Sequence, residues 1–273
     1  MALACGHGIA PGAGTCRIER PDGRSVKRSS RAPPVGIPLQ RSRLGAMGSE
    51  HSIVGVSARS VDTAAMILFS QRHSPFARKA EVALLEAGVT GVEVRHLASH
   101  VRQGDEPAHP ENPLNTAPLL ILQDGRGVFD SEEICFYIDE FSGGRLVPKE
   151  SGERQATLTL QHLASGLCEL GADLRWELQQ NEMGISIPGL REDLISQLDA
   201  AYDILESGPA MGKVPPDQVA DIGVIALATA LDWLEFRGLD RYVSPHPNLA
   251  WWVDVFRERP SMTATEYEDL SDL

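Results

Sequence analysis

Short apolar segments separated by polar turns dominate residues 66–141 of the chain. The run MILF at residues 66–69 is continuous, whereas GVEVRHL at residues 91–97 alternates apolar and polar side chains, as a half-buried strand does. The turn DGRG at residues 124–127 separates two further apolar runs, which is typical of a hairpin. Four strands are therefore predicted, at residues 66–69, 91–97, 117–122 and 128–129.

Two helices are predicted among these strands, each with a clear start signal. Ser74 is a favourable N-cap, Pro75 suits the first helical position, and Gly88 supplies a stop. The second helix opens at Asp130, which has the spacing of a capping box with Glu133. The order strand, helix, strand, strand, strand, helix predicts a small α/β sheet.

After this region the pattern changes to long helical periods. Residues 142–152, SGGRLVPKESG, have the composition of a linker, and proline and glycine separate the segments that follow. The segment at residues 222–234 is apolar on every side, which predicts the buried central helix of this half. Helices are predicted at residues 153–180, 190–206, 217–236 and 248–259.

Pattern and composition divide the chain into four segments. The head, residues 1–61, is rich in Gly, Arg, Ser and Pro, shows no sustained apolar period and is predicted to be disordered. It holds nine of the 25 Lys and Arg residues but only three of the 38 Asp and Glu, which loosely resembles a mitochondrial transit peptide. Alternatively, translation begins at Met47 or Met66 and the head is a misassigned start. The other segments are an α/β domain at residues 62–144, a linker at 145–152 and an all-helical domain at 153–273.

Charge and composition restrict the partners and the compartment. The 273-residue chain has a formal net charge of −13 and a pI of about 5.0, which argues against nucleic acid or an anionic membrane as the main partner. Its longest apolar run, residues 222–231, is shorter than the roughly 18–20 residues that a membrane span needs. The four cysteines form no CxxC pair, so free thiols in a reducing compartment are expected, in the cytoplasm or, if the head is a transit segment, in mitochondria. The eight histidines show no Cys-His spacing typical of a metal site, and no metal is expected.

Five sequence strings occur in the order found in the cytosolic glutathione S-transferase superfamily. They are SPFARK at residues 74–79, NPLNTAPLL at 112–120, FDSEEICFYIDE at 129–140, ADIGVIALATALDWLEFRG at 220–238 and HPNLAWWVDVFRERPSM at 246–262. The chain therefore resembles this superfamily, and specifically its members with a serine in the active site. The resemblance implies a thioredoxin-like N-terminal domain, an all-α C-terminal domain, glutathione as co-substrate and a homodimer.

Ser74 stands where the superfamily carries its thiol-activating residue. The resemblance implies that its hydroxyl and the N-terminus of the following helix hold the glutathione thiol as a thiolate, the form that attacks electrophiles. A plain N-cap accounts for Ser74 equally well from the local sequence. Phe76, in the same string, is assigned to the glutathione site. Because Ser74 is not a cysteine, conjugation, addition or isomerisation is favoured over exchange through a protein disulfide.

The same resemblance assigns the rest of the glutathione site. Pro118 corresponds to a cis-proline, and the backbone of the preceding Ala117 would pair with the cysteinyl part of glutathione, although an ordinary strand-start proline is the alternative. Asp130 and Ser131 would hold the γ-glutamyl ammonium and carboxylate at the start of the second helix. The candidate cations for the glycine carboxylate are Arg102, favoured for its fixed charge, His100 and His109.

A pocket for the electrophile is expected beside the thiol, lined mainly from the first long helix of the helical domain. Its candidate residues are His73, Leu170, Leu174 and Arg175, and an exposed loop position is the alternative for His73. The leading hypothesis is a glutathione transferase that acts on a small apolar electrophile, by conjugation, isomerisation or dehalogenation. The alternative is a transferase-like protein that binds partners or ligands without catalysis, because one fold hosts many functions.

Overall fold

The computed structural model of the chain describes residues 65–97, 112, 114–208 and 218–268. The predicted disordered head and the candidate cations Arg102, His100 and His109 lie outside the described residues. All described residues belong to one compact unit. Its elements in chain order are β1 (Met66–Ser70), α1 (Pro75–Glu86), β2 (Val92–His96), β3 (Leu119–Ile121), β4 (Gly127–Phe129), α2 (Ser131–Phe141), α3 (Ser151–Glu182), α4 (Leu190–Glu206), α5 (Ile222–Phe236), α6 (Pro247–Arg257) and α7 (Pro260–Thr263).

The first half of the fold is a four-stranded sheet with the order β2-β1-β3-β4. β1 runs parallel to β2 and antiparallel to β3, and β3 and β4 form an antiparallel hairpin around a turn in which Gly125 has a φ of 85°. The four predicted strands and their order with the helices are confirmed. The prediction that β2 is half-buried is wrong, because β2 is an edge strand and Val94 on it is 38% exposed.

Local signals define both ends of α1. The Ser74 hydroxyl accepts the amide of Ala77 at 3.3 Å, and Pro75 occupies the first helical position, where the helix needs no amide donor. At the other end, Gly88 adopts a φ of 66°, the left-handed conformation that closes many helices. The predicted start and stop of this helix are therefore confirmed.

The second half is all-helical and is organised around α5. This helix is buried along almost its whole length, as its apolar sequence predicts, and α3 packs against it. Gly171 on α3 permits their close approach, since a Cβ atom there would lie 2.8 Å from the ring of Trp233 and 2.5 Å from Leu234. The pair formed by α3 and α5 is therefore the centre of the helical core.

The boundaries of these helices follow their caps. The helix predicted over residues 190–206 has these bounds in the structure. The helix predicted over residues 217–236 begins only at Ile222, and that predicted start is wrong. The reason is Asp221, whose carboxylate accepts two amides of the first turn, each at 2.9 Å, and so caps the helix at that point.

The two halves share one continuous core, to which α1, α2, α3 and α5 all contribute side chains. The buried Arg78 of α1 pairs with Asp232 of α5 and donates to the carbonyl oxygen of Met262 at 3.1 Å. The carboxylate of Asp139 accepts two amides of the predicted linker, at 2.6 and 3.0 Å. The predicted architecture, an α/β domain followed by an all-helical one, is confirmed. Within the described ranges, no helix combines the length and the apolarity that a bilayer crossing needs.

Candidate functional site

The ends of three strands meet at one edge of the sheet. Phe69 of β1 is opposite Leu119 of β3, and Leu119 is in turn opposite Phe129 of β4. Adjacent strands lie roughly 4.8 Å apart, so these three positions span only about 10 Å. After Phe69 the chain leads into α1, at Leu119 it enters β3, and after Phe129 it begins α2. The predicted site residues that adjoin these positions are Ser74, Pro118, Asp130 and Ser131.

Ser74 lies at this edge as the N-cap of α1. The residue is half-buried, and its Oγ atom accepts the amide of Ala77 at 3.3 Å. A hydroxyl has one proton to donate as well as two lone pairs, so accepting the capping bond leaves that proton available. The capping role of Ser74 is thus observed, and it is chemically compatible with donation to a ligand.

The start of α2 is the second helix N-terminus at the edge. Asp130 is exposed, has a φ of 33°, and accepts the amide of Glu132 at 2.8 Å. A capping box requires the amide of Glu133 instead, so that prediction is wrong. The bonds of the helix itself begin with the Ile134 amide, which donates to the carbonyl oxygen of Asp130, so the helix supplies no partner for the amides of Ser131 and Glu133.

Two helix starts at one edge favour the binding of anions. Helix N-termini present N–H groups and a partial positive charge, and both attract carboxylates and thiolates. The edge also carries an anionic group, the Asp130 carboxylate, which lies 3.5 Å from the buried Ser131 hydroxyl. This arrangement suits a ligand that bears both negative groups and an ammonium group.

A proline-containing turn precedes β3 at the same edge. The peptide bond between Ala117 and Pro118 is cis, as the resemblance implies. Pro118 is buried and Ala117 is half-buried. The side-chain amide of Asn112 donates to the carbonyl oxygen of Thr116 at 2.9 Å and so holds the approach to this turn.

The loop between β1 and α1 is held by the helical domain. The carbonyl oxygen of His73 accepts the indole N–H of Trp233 at 3.0 Å and the guanidinium of Arg237 at 3.4 Å. Arg72 pairs with Glu268 at 2.5 Å, and the Glu268 amide donates to the Arg72 carbonyl oxygen at 3.2 Å. Sequence reasoning missed these contacts, which join residues at least 160 positions apart. The one available signal is that a buried indole N–H needs some acceptor.

The start of α2 is also joined to the helical domain. The hydroxyl of Ser165 on α3 donates to the Glu132 carboxylate at 2.9 Å. Neither residue is predicted from the sequence to belong to the site. Because Glu132 directly follows Ser131, this contact fixes the α2 N-terminus relative to α3.

The remaining candidate residues lie in the loop between β1 and α1, on α1 and on α3. His73 is half-buried, so the alternative of an exposed loop histidine is wrong. On α3, Leu174 is 2% exposed and belongs to the hydrophobic core, whereas Leu170 and Arg175 are half-buried. Phe76 of α1 is partly buried against the same core. The roles of these five side chains in binding stay predictions.

The described residues hold several side chains of metal-ligating and thiol type outside the edge described above. Among them, no group of three or more His, Cys, Asp and Glu side chains is placed to hold a metal ion. His96 and His100 have a four-residue spacing that can bind metal on a helix, but His96 ends a strand and His100 lies outside the described part. Cys135 and Cys168 are free and buried, and burial raises the pKa of their thiols to about 11 and about 12. Such thiols are unreactive near neutral pH.

Known proteins resemble this chain over about three quarters of its length. The family model for the glutathione S-transferase N-terminal domain matches residues 68–145. The uncharacterized GST-like protein YibF of Escherichia coli (strain K12) is 28% identical over 211 residues, which cover 74% of this chain and 98% of that protein.

Two solved structures have the same fold. A glutathione transferase family member from Pseudomonas fluorescens Pf-5 with bound glutathione is 29% identical, with a TM-score of 0.67 over 75% of this chain and 100% of that one. A second structure from this organism, with bound S-(propanoic acid)-glutathione, is 28% identical, with a TM-score of 0.62 over 75% of this chain and 98% of that one. These similarities confirm the predicted thioredoxin-like N-terminal domain followed by an all-α C-terminal domain.

Proposed function

The chain belongs to the glutathione S-transferase superfamily, and we propose that it is a transferase that activates the thiol of glutathione at Ser74. Glutathione binds across the edge formed by the ends of β1, β3 and β4, and its sulfur is transferred or added to a small apolar electrophile. The observation that carries this proposal is the strand register, which brings the starts of α1 and α2 and the Pro118 turn to one edge.

In this proposal the Ser74 hydroxyl donates a hydrogen bond to the glutathione sulfur. A thiol with a pKa of about 8.5 is mostly protonated at pH 7, and only the thiolate attacks an electrophile. One hydrogen bond to a charged group contributes about 1.5–3 kcal/mol, enough to lower the pKa of a thiol by roughly one to two units. The start of α1 favours the thiolate through its partial positive charge. Phe76, in the first turn, completes this part of the glutathione site.

The γ-glutamyl group of glutathione is proposed to bind at the start of α2. Its carboxylate accepts hydrogen bonds from Ser131 and the free helix amides, and its ammonium pairs with the Asp130 carboxylate. The φ of 33° at Asp130 supports this assignment. Such conformations cost on the order of 1–3 kcal/mol in residues other than glycine, and they cluster at ligand sites.

The other end of glutathione is assigned to two loops. The backbone of Ala117, before Pro118, pairs with the cysteinyl part of the tripeptide. Arg102 supplies the cation for the glycine carboxylate. The position of β2 supports this choice. The Leu97 amide donates to the Ser70 carbonyl oxygen at 2.8 Å, so the chain leaves β2 beside the end of β1, where the proposed glutathione site lies.

A serine at this position favours chemistry on the bound glutathione itself. Exchange through a protein disulfide needs an attacking cysteine thiolate, which Ser74 cannot supply. We therefore expect conjugation, addition, isomerisation or dehalogenation. The structure from Pseudomonas fluorescens with bound S-(propanoic acid)-glutathione supports a site that accepts S-substituted glutathione. The pocket for the electrophile is assigned to His73, Leu170 and Arg175, whereas Leu174, also a candidate from the sequence, is buried in the hydrophobic core.

Three further features belong to the same proposal. The glutathione-binding domain comprises residues 62–144 and the substrate domain residues 153–273, joined by the linker at 145–152. The protein acts as a homodimer. Its compartment is the cytoplasm, or mitochondria if the basic head is a transit segment.

The test compares Ser74→Ala with a matched loss of a helix cap elsewhere. Glu150→Ala is the control, because the Glu150 carboxylate caps α3 by accepting the Glu153 amide at 2.8 Å. We expect Ser74→Ala to bind glutathione, to raise the pKa of the bound thiol and to lose most of its turnover with a generic aromatic halide. Ultraviolet absorbance of the bound thiolate, titrated against pH, measures the thiol pKa directly. Glu150→Ala should match the wild type in all three measurements.

Two outcomes would contradict the proposal. If Ser74→Ala keeps the wild-type rate and thiol pKa, Ser74 does not activate the thiol. If the wild-type protein is retained on glutathione-agarose but turns over none of several electrophiles, the alternative of a non-catalytic binding protein is favoured instead.

A further inference from the structure

The peptide unit between His73 and Ser74 is held at both of its polar atoms. Its carbonyl oxygen accepts the indole N–H of Trp233 at 3.0 Å, and its amide donates to the carbonyl oxygen of Gln71 at 3.0 Å. A peptide unit is planar and rigid, so bonds to both of its polar atoms restrict its rotation. Because the Cα atom of Ser74 belongs to this unit, the orientation of the unit determines where the serine hydroxyl lies.

We infer that Trp233 is a positioning residue for Ser74. Its indole N–H, which comes from the helical domain, holds the His73 carbonyl and thereby places the hydroxyl that the glutathione thiol uses. This inference rests on the proposed function, because it gives Trp233 a part in the activation of the thiol. It also connects α5, the central helix of the second domain, to the reacting end of α1.

The indole of Trp233 occupies a closely packed position. The residue is 5% exposed, and a Cβ atom on Gly171 would lie 2.8 Å from its Cζ3 atom. A buried donor without an acceptor costs about 1–3 kcal/mol, so the indole N–H requires a partner at this place. The His73 carbonyl oxygen is that partner, and the bond therefore restrains the loop and the helix together.

The other contacts of the loop differ from this bond. Arg237 also donates to the His73 carbonyl oxygen, but at the longer distance of 3.4 Å. The ion pair of Arg72 with Glu268 is exposed, and exposed pairs contribute about 0–1 kcal/mol and weaken with salt. The indole bond is neutral and partly buried, so neither salt nor a change of pH near neutrality removes it.

A displaced hydroxyl should affect turnover more than the binding of glutathione. A displacement of about 1 Å near the reacting atoms can reduce a rate roughly 100-fold. In the proposed function, the carboxylates and the ammonium of glutathione are held by other residues, so most of the affinity remains. The loss of the indole N–H should therefore change kcat and the thiol pKa, and change the KM for glutathione little.

The experiment replaces Trp233 by Phe, which removes the N–H and keeps most of the buried ring. Trp252→Phe is the matched control, because Trp252 is 3% exposed and stacks on Phe256 of α6. We expect Trp233→Phe to lower kcat about three- to tenfold, the range of one neutral hydrogen bond, and to raise the pKa of the bound thiol. The KM for glutathione should change less than about twofold. Benzothienylalanine at position 233 exchanges the N–H for sulfur at similar shape and gives the same measurements if the Phe variant does not fold.

Combination with Ser74→Ala separates the inference from the proposed function. Support requires that Trp233→Phe has no further effect on the thiol pKa once Ser74 is replaced by Ala. If Ser74→Ala impairs activation but Trp233→Phe matches Trp252→Phe in every measurement, the inference is overturned and the proposed function stands. If Ser74→Ala has no effect on rate or thiol pKa, the proposed function fails and the inference fails with it.

Discussion

Glu86, the last residue of α1, forms a buried ion pair with Arg259, which lies between α6 and α7. The Arg259 Nη2 atom is 2.6 Å from the Glu86 Oε2 atom, and the side chains are 7% and 6% exposed. The hydroxyl of Ser261 and the amide of Ala220 also donate to this carboxylate, at 2.5 and 3.1 Å. One carboxylate therefore joins the α/β domain to three points of the helical domain.

Replacement of Arg259 by Leu should be strongly destabilising. It leaves the Glu86 carboxylate buried without its cation, and breaking a buried pair in this way costs about 3–5 kcal/mol. The free energy of unfolding in urea measures the effect. The control is Arg126→Leu, since Arg126 pairs with Asp124 at 2.8 Å on the surface and exposed pairs contribute less than about 1 kcal/mol. Equal losses in the two variants would contradict the importance of the buried pair.

Acid should destabilise the protein partly through Glu86. Burial raises the pKa of this carboxyl, but the hydrogen bonds from Arg259, Ser261 and the Ala220 amide outweigh burial and hold the pKa below its usual value of 4.5. The unfolded chain thus takes up the proton first, and the stability present above pH 4.5 is lost as the pH falls through the lower pKa of the folded state.

Glu86→Gln tests this dependence on pH. The variant should be less stable than the wild type at neutral pH, and the difference between them should shrink as the pH falls below 4.5. Urea unfolding at a series of pH values measures both curves. Parallel curves for the two proteins across this range would show that Glu86 does not contribute to the acid sensitivity.

The parts of the fold that local signals determine were predictable from the sequence. The bounds of α1 follow from Ser74, Pro75 and Gly88, because caps and stops act within one helical turn. The start of α5 was misplaced because proline and polar residues upstream also permit a helix, whereas Asp221 decides the start by accepting two amides. β2 is exposed because it is an outer strand of the sheet, and the local sequence does not determine which strand is outermost.

The site shows the same division between local and distant information. The positions of Ser74 and Asp130 at the starts of α1 and α2 could be predicted, because each residue stands within a recognisable string. The contact of Trp233 with the His73 carbonyl could not, because it joins positions 160 residues apart through a backbone atom. Because every residue type has a backbone carbonyl, the identity of residue 73 does not indicate this bond, and only the fold reveals it.

Replacement of Ser74 by Asp should separate capping from activation of the thiol. Aspartate caps helices about as well as serine and suits the positive helix start, so stability should stay within about 0.5 kcal/mol of the wild type. A carboxylate cannot donate at neutral pH and repels a thiolate, so turnover should fall at least about 100-fold and the pKa of the bound thiol should rise. Ser74→Ala should lose activity together with about 1 kcal/mol of stability.

The two measurements for Ser74→Asp are therefore expected to diverge. Urea unfolding measures the stability that the helix cap contributes. Titration of the bound thiolate, together with the rate, measures the effect of the hydrogen bond that the hydroxyl donates to the thiolate. An Asp variant with the wild-type rate would mean that the hydroxyl proton is not used in the reaction. A strongly destabilised Asp variant would contradict the capping role that the bond to Ala77 indicates.

Replacement of Gly171 by Ala should disrupt the contact between α3 and α5. The added Cβ atom would lie 2.5 Å from Leu234 and 2.8 Å from the Trp233 ring, and overpacking of a core costs about 1–3 kcal/mol. Gly166→Ala is the matched control on the same helix, because a Cβ atom there has no neighbour within 4 Å. The control should gain about 0.5–1 kcal/mol from the higher helix propensity of alanine. Thermal unfolding compares the two variants, and a Gly171→Ala protein as stable as Gly166→Ala would mean that the helices do not approach as closely as described.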